Sequence, residues 1–256
     1  MSEEVQPCAI VVPYYNNPEM LKHQVSVWER YSGALTENMQ FVLVDDCSKY
    51  PAEPIFKQLK HNKMLFRVRE RLPWNQHQCR NIGGFNAQPR KNIANPWLLL
   101  TDIDIVFTAE AMLTLLTKKL DPNHHYTVER TFAPEFTERK VHPNTFICTK
   151  NAFKTINGYD LDLTGGYGGG YGGDGEFARQ LAGVCPQKHL KDVLSIGYGR
   201  RKRDGQPTVF TDADTQEREY DREMWSQKYR EAFNRKRAKG DMRSIRPIRV
   251  DYERII

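Results

Sequence analysis

Leu98-Leu99-Leu100-Thr101-Asp102-Ile103-Asp104-Ile105-Val106-Phe107 is the stretch that decides how this chain is read. Its continuous apolar run has the mark of a buried strand, and it meets two carboxylates one residue apart. On an extended segment residues i and i+2 point to the same side. Neighbouring carboxylates repel, and lose hydration, unless a cation sits between them. Hard oxygen ligands of this kind suit Mg²⁺ or Mn²⁺, which bind through one or two carboxylates plus substrate phosphates. The competing reading has both aspartates capping a helix expected over Thr108–Leu120. On the pair alone the two readings stand level.

Working outward, the same layout recurs. Ala9–Pro13 is a short apolar run closed by proline and reads as a buried strand. Pro18–Tyr31 has helical spacing after the turn-forming Asn16-Asn17-Pro18. Gln40–Val44 is a second buried strand, ending at Asp45-Asp46-Cys47-Ser48. A short helix over Pro54–Leu59, a strand over Met64–Val68, a helix over Gln76–Ala87 and the strand Trp97–Thr101 follow. Strands alternating with helices imply an α/β fold with a mainly parallel sheet and helices on both faces. Ligands of such sheets sit outside the carboxyl ends of the strands. The polar groups fall at three of those ends: Tyr14-Tyr15-Asn16-Asn17, Asp45-Asp46, and Asp102 with Asp104.

Composition narrows the class. The 256 residues are 39% hydrophobic, enough for one sizeable core. No stretch approaches the roughly 20 apolar residues of a membrane span. The first residues, Met-Ser-Glu-Glu-Val-Gln-Pro, are acidic and polar, unlike a signal peptide. The five cysteines, Cys8, Cys47, Cys79, Cys148 and Cys185, are scattered without CxxC spacing. That argues against a disulfide framework or structural zinc and for a reducing, cytoplasmic location. The net charge of +6 is concentrated at the end: Met224–Ile256 holds ten Lys/Arg against four acids. Such a tail points to a polyanionic partner, nucleic acid or an anionic membrane surface, or simply to a solvated helix end.

The second half reads differently. Phe146–Thr149 is a strand and Asn151–Ile156 a short helix, ending at Asn157-Gly158-Tyr159-Asp160. Seven of the nine residues Gly165–Gly173 are glycine, with Tyr167 and Tyr171 among them. Glycine at this density is costly to order, which makes sense where backbone approaches or closes over a ligand. The segment runs into an amphipathic helix over Glu176–Leu181. From Asp212 to Lys239 a charged helix is expected to pack a stripe of Tyr220, Trp225, Tyr229 and Phe233. From Gly240 on an extended arm is expected.

These residues together resemble the nucleotide-sugar glycosyltransferases of the GT-A (Rossmann-like) fold, similar to glycosyltransferase family 2 and the galactosyltransferase-type C-terminal region. Ala9-Ile-Val-Val-Pro-Tyr-Tyr-Asn-Asn17 matches the opening strand and loop. Val44-Asp-Asp-Cys-Ser48 matches Val-Asp-Asp-x-Ser, and Cys79-Arg-Asn-Ile-Gly83 matches Ala-Arg-Asn-x-Gly. Thr101-Asp-Ile-Asp104 matches the DXD motif. Asn157-Gly-Tyr-Asp160 matches Gly-Gly-Phe-Asp, and Gly173-Asp-Gly-Glu176 resembles Glu-Asp-x-Glu. The match covers about residues 8–200.

The resemblance implies a GT-A domain over 1–205, with a nucleotide-sugar half at about 8–107 and an acceptor half at about 140–200. A charged helical extension and basic tail follow over 206–256. It implies an inverting hexosyl- or pentosyltransferase using a UDP-sugar and Mn²⁺ or Mg²⁺. Pro13, Tyr14, Asp45 and Asp46 would hold the nucleoside, with Arg80 near the diphosphate. Asp102 and Asp104 would hold the metal, with His142 or His189 as candidate third ligands. Asp174 would be the general base, with Tyr171, Gly173 and Glu176 on the acceptor side. Gly173 departs from the pattern, which has Glu there. The acceptor would be a glycan or glycoconjugate, the alternative being modified bases of DNA. A non-enzymatic nucleic-acid-binding protein is the second class. A nucleotidyltransferase fits poorly, because Tyr14–Pro18 lacks the glycine and cation of a phosphate loop.

Overall fold

A computed structural model describes residues 5–72, 75–89, 93, 95–134, 136, 139–163, 173–198, 222–239 and 247–256. Tyr167, Tyr171 and the rest of the glycine-rich run before Gly173 lie outside these residues. So do the side chains of the expected aromatic stripe, Tyr220, Trp225, Tyr229 and Phe233.

The first half alternates as its apolar runs dictate. β1 (Cys8–Tyr14) leads to α1 (Pro18–Trp28) and α2 (Ala34–Asn38). β2 (Met39–Asp45) leads to α3 (Glu53–Phe56), and β3 (Lys63–Val68) to α4 (Gln76–Asn86). β4 (Trp97–Leu100), β5 (Ile105–Val106) and α5 (Ala109–Thr117) complete this half. β3, β2, β1 and β4 lie side by side, all parallel. Along β1, Cys8, Ile10, Val12 and Tyr14 enter one core, while Ala9 and Val11 enter the other. The pleat thus sends alternate residues to two helix-covered faces, which is why the run reads as apolar throughout.

The second half supplies β6 (His125–Phe132), β7 (Lys140–Val141), β8 (Phe146–Thr149), α6 (Lys150–Thr155), α7 (Gly173–Val184) and β9 (Gln187–Gly197). Here the sheet becomes mixed. β8 is antiparallel to β4 and to β6, β9 is parallel to β6, and β5 closes antiparallel on β9. The sequence reading placed the parallel block and β8 but neither β6 nor β9. The charged extension contains α8 (Arg222–Lys239) and then returns: β10 (Tyr252–Arg254) pairs antiparallel with β3 as an edge strand. Within the arm expected from Gly240 on, Tyr252–Arg254 joins the sheet.

The carboxyl ends of β1, β2, β3 and β4 share one edge, with Tyr14 opposite Asp45 and Val11 opposite Leu100. The amino end of α4 sits at the same edge. β8 runs the other way, so the residues preceding it return there too. α4 lies unusually close to the sheet because of its glycines. A Cβ on Gly83 would stand 2.4 Å from Val11 Cγ1, and one on Gly84 would stand 2.8 Å from Phe153 Cε1.

Candidate active site

β4 ends at Leu100, earlier than the expected Thr101, and Asp102 opens a turn in which Ile105 N–H donates to Asp102 O at 3.1 Å. Asp102 and Asp104 therefore lie on a turn and not on an extended strand. Neither caps the next helix. Thr108 does so, its Oγ1 accepting from Ala111 N at 3.1 Å. The capping reading of the pair is thereby removed, and the carboxylates need another explanation.

Arg80 supplies part of one. It lies on the buried face of α4, wholly inaccessible to solvent. One guanidinium nitrogen, Nη2, pairs with Asp102 Oδ1. The other, Nη1, donates to Asp174 Oδ1 at 2.6 Å and lies 3.4 Å from the Tyr159 hydroxyl. A planar cation with a fixed fork suits two carboxylates at once. Burial works against its charge, but Tyr159, Asp102 and Asp174 outweigh burial and hold it firmly protonated. Arg80, which the sequence reading set near the diphosphate, thus pairs with two carboxylates of the site.

Asp174 stands in the first turn of α7, where a carboxylate also meets the positive end of the helix. Burial would raise its pKa, yet Arg80 and His77 overcome burial and hold it at about 2. His77 Nε2 lies 3.3 Å from Asp174 Oδ2. The His77 ring stacks on Tyr159, with centroids 4.9 Å apart, and Tyr159 stacks on Phe177 at 3.9 Å. Asn144 Nδ2 donates to the remaining oxygen of Asp102 at 3.4 Å. The sequence reading did not select His77, Tyr159 or Asn144. A signal for His77 existed: it precedes Arg80 by three residues, so a helix sets both on one face.

Asp104 is pushed up to about 6, by burial and then by the charge of Asp102. Two half-buried carboxylates that repel each other are a donor set that fits Mg²⁺ or Mn²⁺. Among the described residues no group of three His, Cys, Asp or Glu gathers as a metal cage. An ion here would take its other ligands from phosphate and water, as Mg²⁺ commonly does. His142 Nε2 lies 3.9 Å from Asp102 Oδ2, but its Nδ1 accepts from Asn144 N at 3.2 Å. That bond leaves the ring proton on Nε2, which then has no lone pair for a metal. Burial, followed by Arg130 and Arg80, lowers the His142 pKa to about 3 and keeps the ring neutral. His189 is engaged elsewhere, 3.1 Å from Thr127 Oγ1 and 3.7 Å from Glu129 Oε1.

The nucleoside-side residues form a knit loop. Asp45 accepts Ser48 N and Ala52 N, each at 2.9 Å, one on each oxygen. Asp46 accepts Asn75 Nδ2 at 2.9 Å, and its own N–H donates to Tyr14 O at 2.9 Å. Pro13 is half-buried, and the Tyr14 hydroxyl donates to Tyr50 O at 2.8 Å. On the acceptor side, the Glu176 carboxylate is tied to its own helix, accepting from Arg179 Nε at 2.9 Å and Gln180 Nε2 at 2.9 Å. Asp160 and Asp162, in the turn before the glycine-rich run, carry the tail: Lys236 of α8 pairs with both, at 2.9 Å to Asp162, and Arg249 Nη1 reaches Asp162 Oδ1 at 2.5 Å.

No protein-family model matches the sequence, and no curated protein does. Solved structures match in fold. S. aureus TarS 1–349 in complex with UDP-GlcNAc is 14% identical with TM-score 0.60, covering 91% of this chain and 73% of that one. A mannosyltransferase from Pyrobaculum calidifontis, PcManGT, in complex with GDP-Man and Mn²⁺, is 13% identical with TM-score 0.59, covering 93% and 77%. Against the longer S. aureus TarS chain, at TM-score 0.57 and 16% identity, the match spans 36% of that protein's length. The chain has the α/β fold of the GT-A nucleotide-sugar glycosyltransferases.

Proposed function

We propose that this chain is a metal-dependent, inverting glycosyltransferase that moves a sugar from a nucleoside-diphosphate sugar, a UDP-sugar, to a hydroxyl of a glycan or glycoconjugate. The observation that carries the reading is the convergence of Asp102 and Asp174, 72 positions apart in sequence, on one buried Arg80 at the carboxyl edge of a GT-A sheet. In this reading the loop built by Pro13, Tyr14, Asp45 and Asp46 receives the nucleoside. Asp102 and Asp104 would hold Mn²⁺ or Mg²⁺, which when bound neutralises charge on the departing diphosphate. Arg80 fixes the two carboxylates relative to each other, so that leaving group and acceptor are met by a preset frame. Asp174, ionised at any physiological pH, takes the acceptor hydroxyl proton as the new C–O bond forms at the anomeric carbon. The bond to the diphosphate oxygen breaks with its electron pair leaving on the nucleotide, and attack from the opposite face inverts the centre.

A second acceptor class is favoured by one observation. Arg235 and Lys239, four residues apart on α8, are exposed on one face of the helix beside the anchored Lys236, a basic pair suited to DNA or an anionic membrane. A screen of nucleotide sugars for Mn²⁺-dependent hydrolysis, followed by glycan acceptors and duplex DNA, tests both. No turnover of any nucleotide sugar would remove the enzyme reading. Binding of DNA that survives Asp102→Asn, with no transfer, would favour the binding-protein class instead.

A further inference from the structure

His77 is buried, and neither ring nitrogen completes a well-formed hydrogen bond with the protein. A buried imidazole in that state costs stability, so its place calls for an explanation. Three observations fix what the ring does. It is clamped as the end of a stack through Tyr159 to Phe177, the two ring pairs lying within 12° and 5° of parallel. Its Nε2 faces Asp174 Oδ2 at 3.3 Å, on the side of the carboxylate that Arg80 leaves open. It also occupies the space in front of Gly173. A Cβ there would stand 2.5 Å from His77 Cε1, 2.7 Å from Nδ1 and 3.1 Å from Leu163 O.

We propose that His77 is the positioning residue for Asp174, and that Gly173 lacks a side chain because the imidazole fills its place. The assignment rests on the glycosyl-transfer reading above. With Arg80 on Oδ1 and His77 on Oδ2, the carboxylate has one orientation, set by two groups on the same face of α4. A separation of 3.3 Å is long for a hydrogen bond, and contacts of this kind tighten when substrate is bound. Loss of the imidazole nitrogen frees the carboxylate to rotate while Arg80 still keeps it ionised, so the effect falls on the chemical step and not on nucleotide binding.

The test uses the full chain, Mn²⁺ and UDP-N-acetylglucosamine or GDP-mannose, with water as acceptor. His77→Phe keeps the ring stack and removes Nε2. We expect kcat to fall about 10- to 100-fold, with donor KM and the melting-temperature rise given by UDP and Mn²⁺ unchanged. His77→Gln, which keeps a donor, restores most of the rate, and Gly173→Ala, which displaces the ring, reproduces the loss. In the substrate-free protein the ¹⁵N signal of His77 Nε2 moves on Asp174→Asn. Wild-type kcat in His77→Phe, or equal losses in His77→Phe and His77→Gln, overturns the proposal, as does an Nε2 signal indifferent to Asp174→Asn. Absence of turnover of any nucleotide sugar by the wild-type chain, with the Nε2 signal still responsive, overturns the glycosyltransferase reading on which it rests.

Discussion

At the scale of single residues, the ionic frame of buried Arg80 with the half-buried Asp102 and Asp174 dominates. Asp174→Asn should keep nucleotide binding and lose transfer by about 10²- to 10⁴-fold, the usual worth of a positioned base; unchanged transfer would exclude Asp174 from that role. The same residue sets an acid limit. Its folded pKa of about 2 lies below the ordinary 3.8, so the ionised carboxylate stabilises the fold above pH 4. That contribution, about 2 kcal/mol, is lost as the pH falls through 2. Urea titrations at pH 5 and pH 2.5 should therefore show a smaller drop in stability for Asp174→Asn than for wild type. The motif positions Asp45, Asp46, Arg80, Asp102, Asp104 and Asp174 were legible in the sequence as residue types at recognisable spacings. Their partners were not. That Arg80 pairs with two carboxylates of the site depends on which face of α4 is buried. Glu176 reads as a free acidic group until Arg179 and Gln180 are seen to occupy it.

At the scale of elements, β1 to β4 were legible because strands buried on both faces are continuous apolar runs closed by polar loops. β6 and β9 were not, because His125–Phe132 and Gln187–Gly197 mix charge with apolar residues; their pairing with each other and with β8 and β5 makes them strands. The extension was legible as a basic helix, but its anchor was not: Lys236 covers Asp160, whose carboxylate is buried. Lys236→Ala should cost about 3 kcal/mol by leaving that charge uncompensated, read as a fall in the denaturant midpoint; an unchanged midpoint would show that the α8 contact contributes nothing. Gly83→Ala forces a methyl to within 2.4 Å of Val11 Cγ1. Overpacking of this kind should cost about 1–3 kcal/mol. A variant as stable as wild type would mean that α4 is not held as closely to β1 as it stands here.

At the scale of the whole molecule, parallel strand ends, the α4 and α7 amino ends and the residues before β8 all meet at one edge of the sheet. No described helix is long and apolar enough to cross a membrane. The central claim is that this edge binds a nucleoside diphosphate through Asp102 and Asp104 with a divalent ion. The most direct measurement is thermal unfolding with UDP or GDP, with and without Mn²⁺, in wild type and in Asp102→Asn/Asp104→Asn. Ligand at about 100 times its Kd adds about 2.7 kcal/mol, or roughly 5–10 °C for a chain of this size. The account predicts that rise in wild type with nucleotide and Mn²⁺ together, and its loss in the double variant. A melting temperature that no nucleoside diphosphate raises, with Mn²⁺ or Mg²⁺ present, would contradict it.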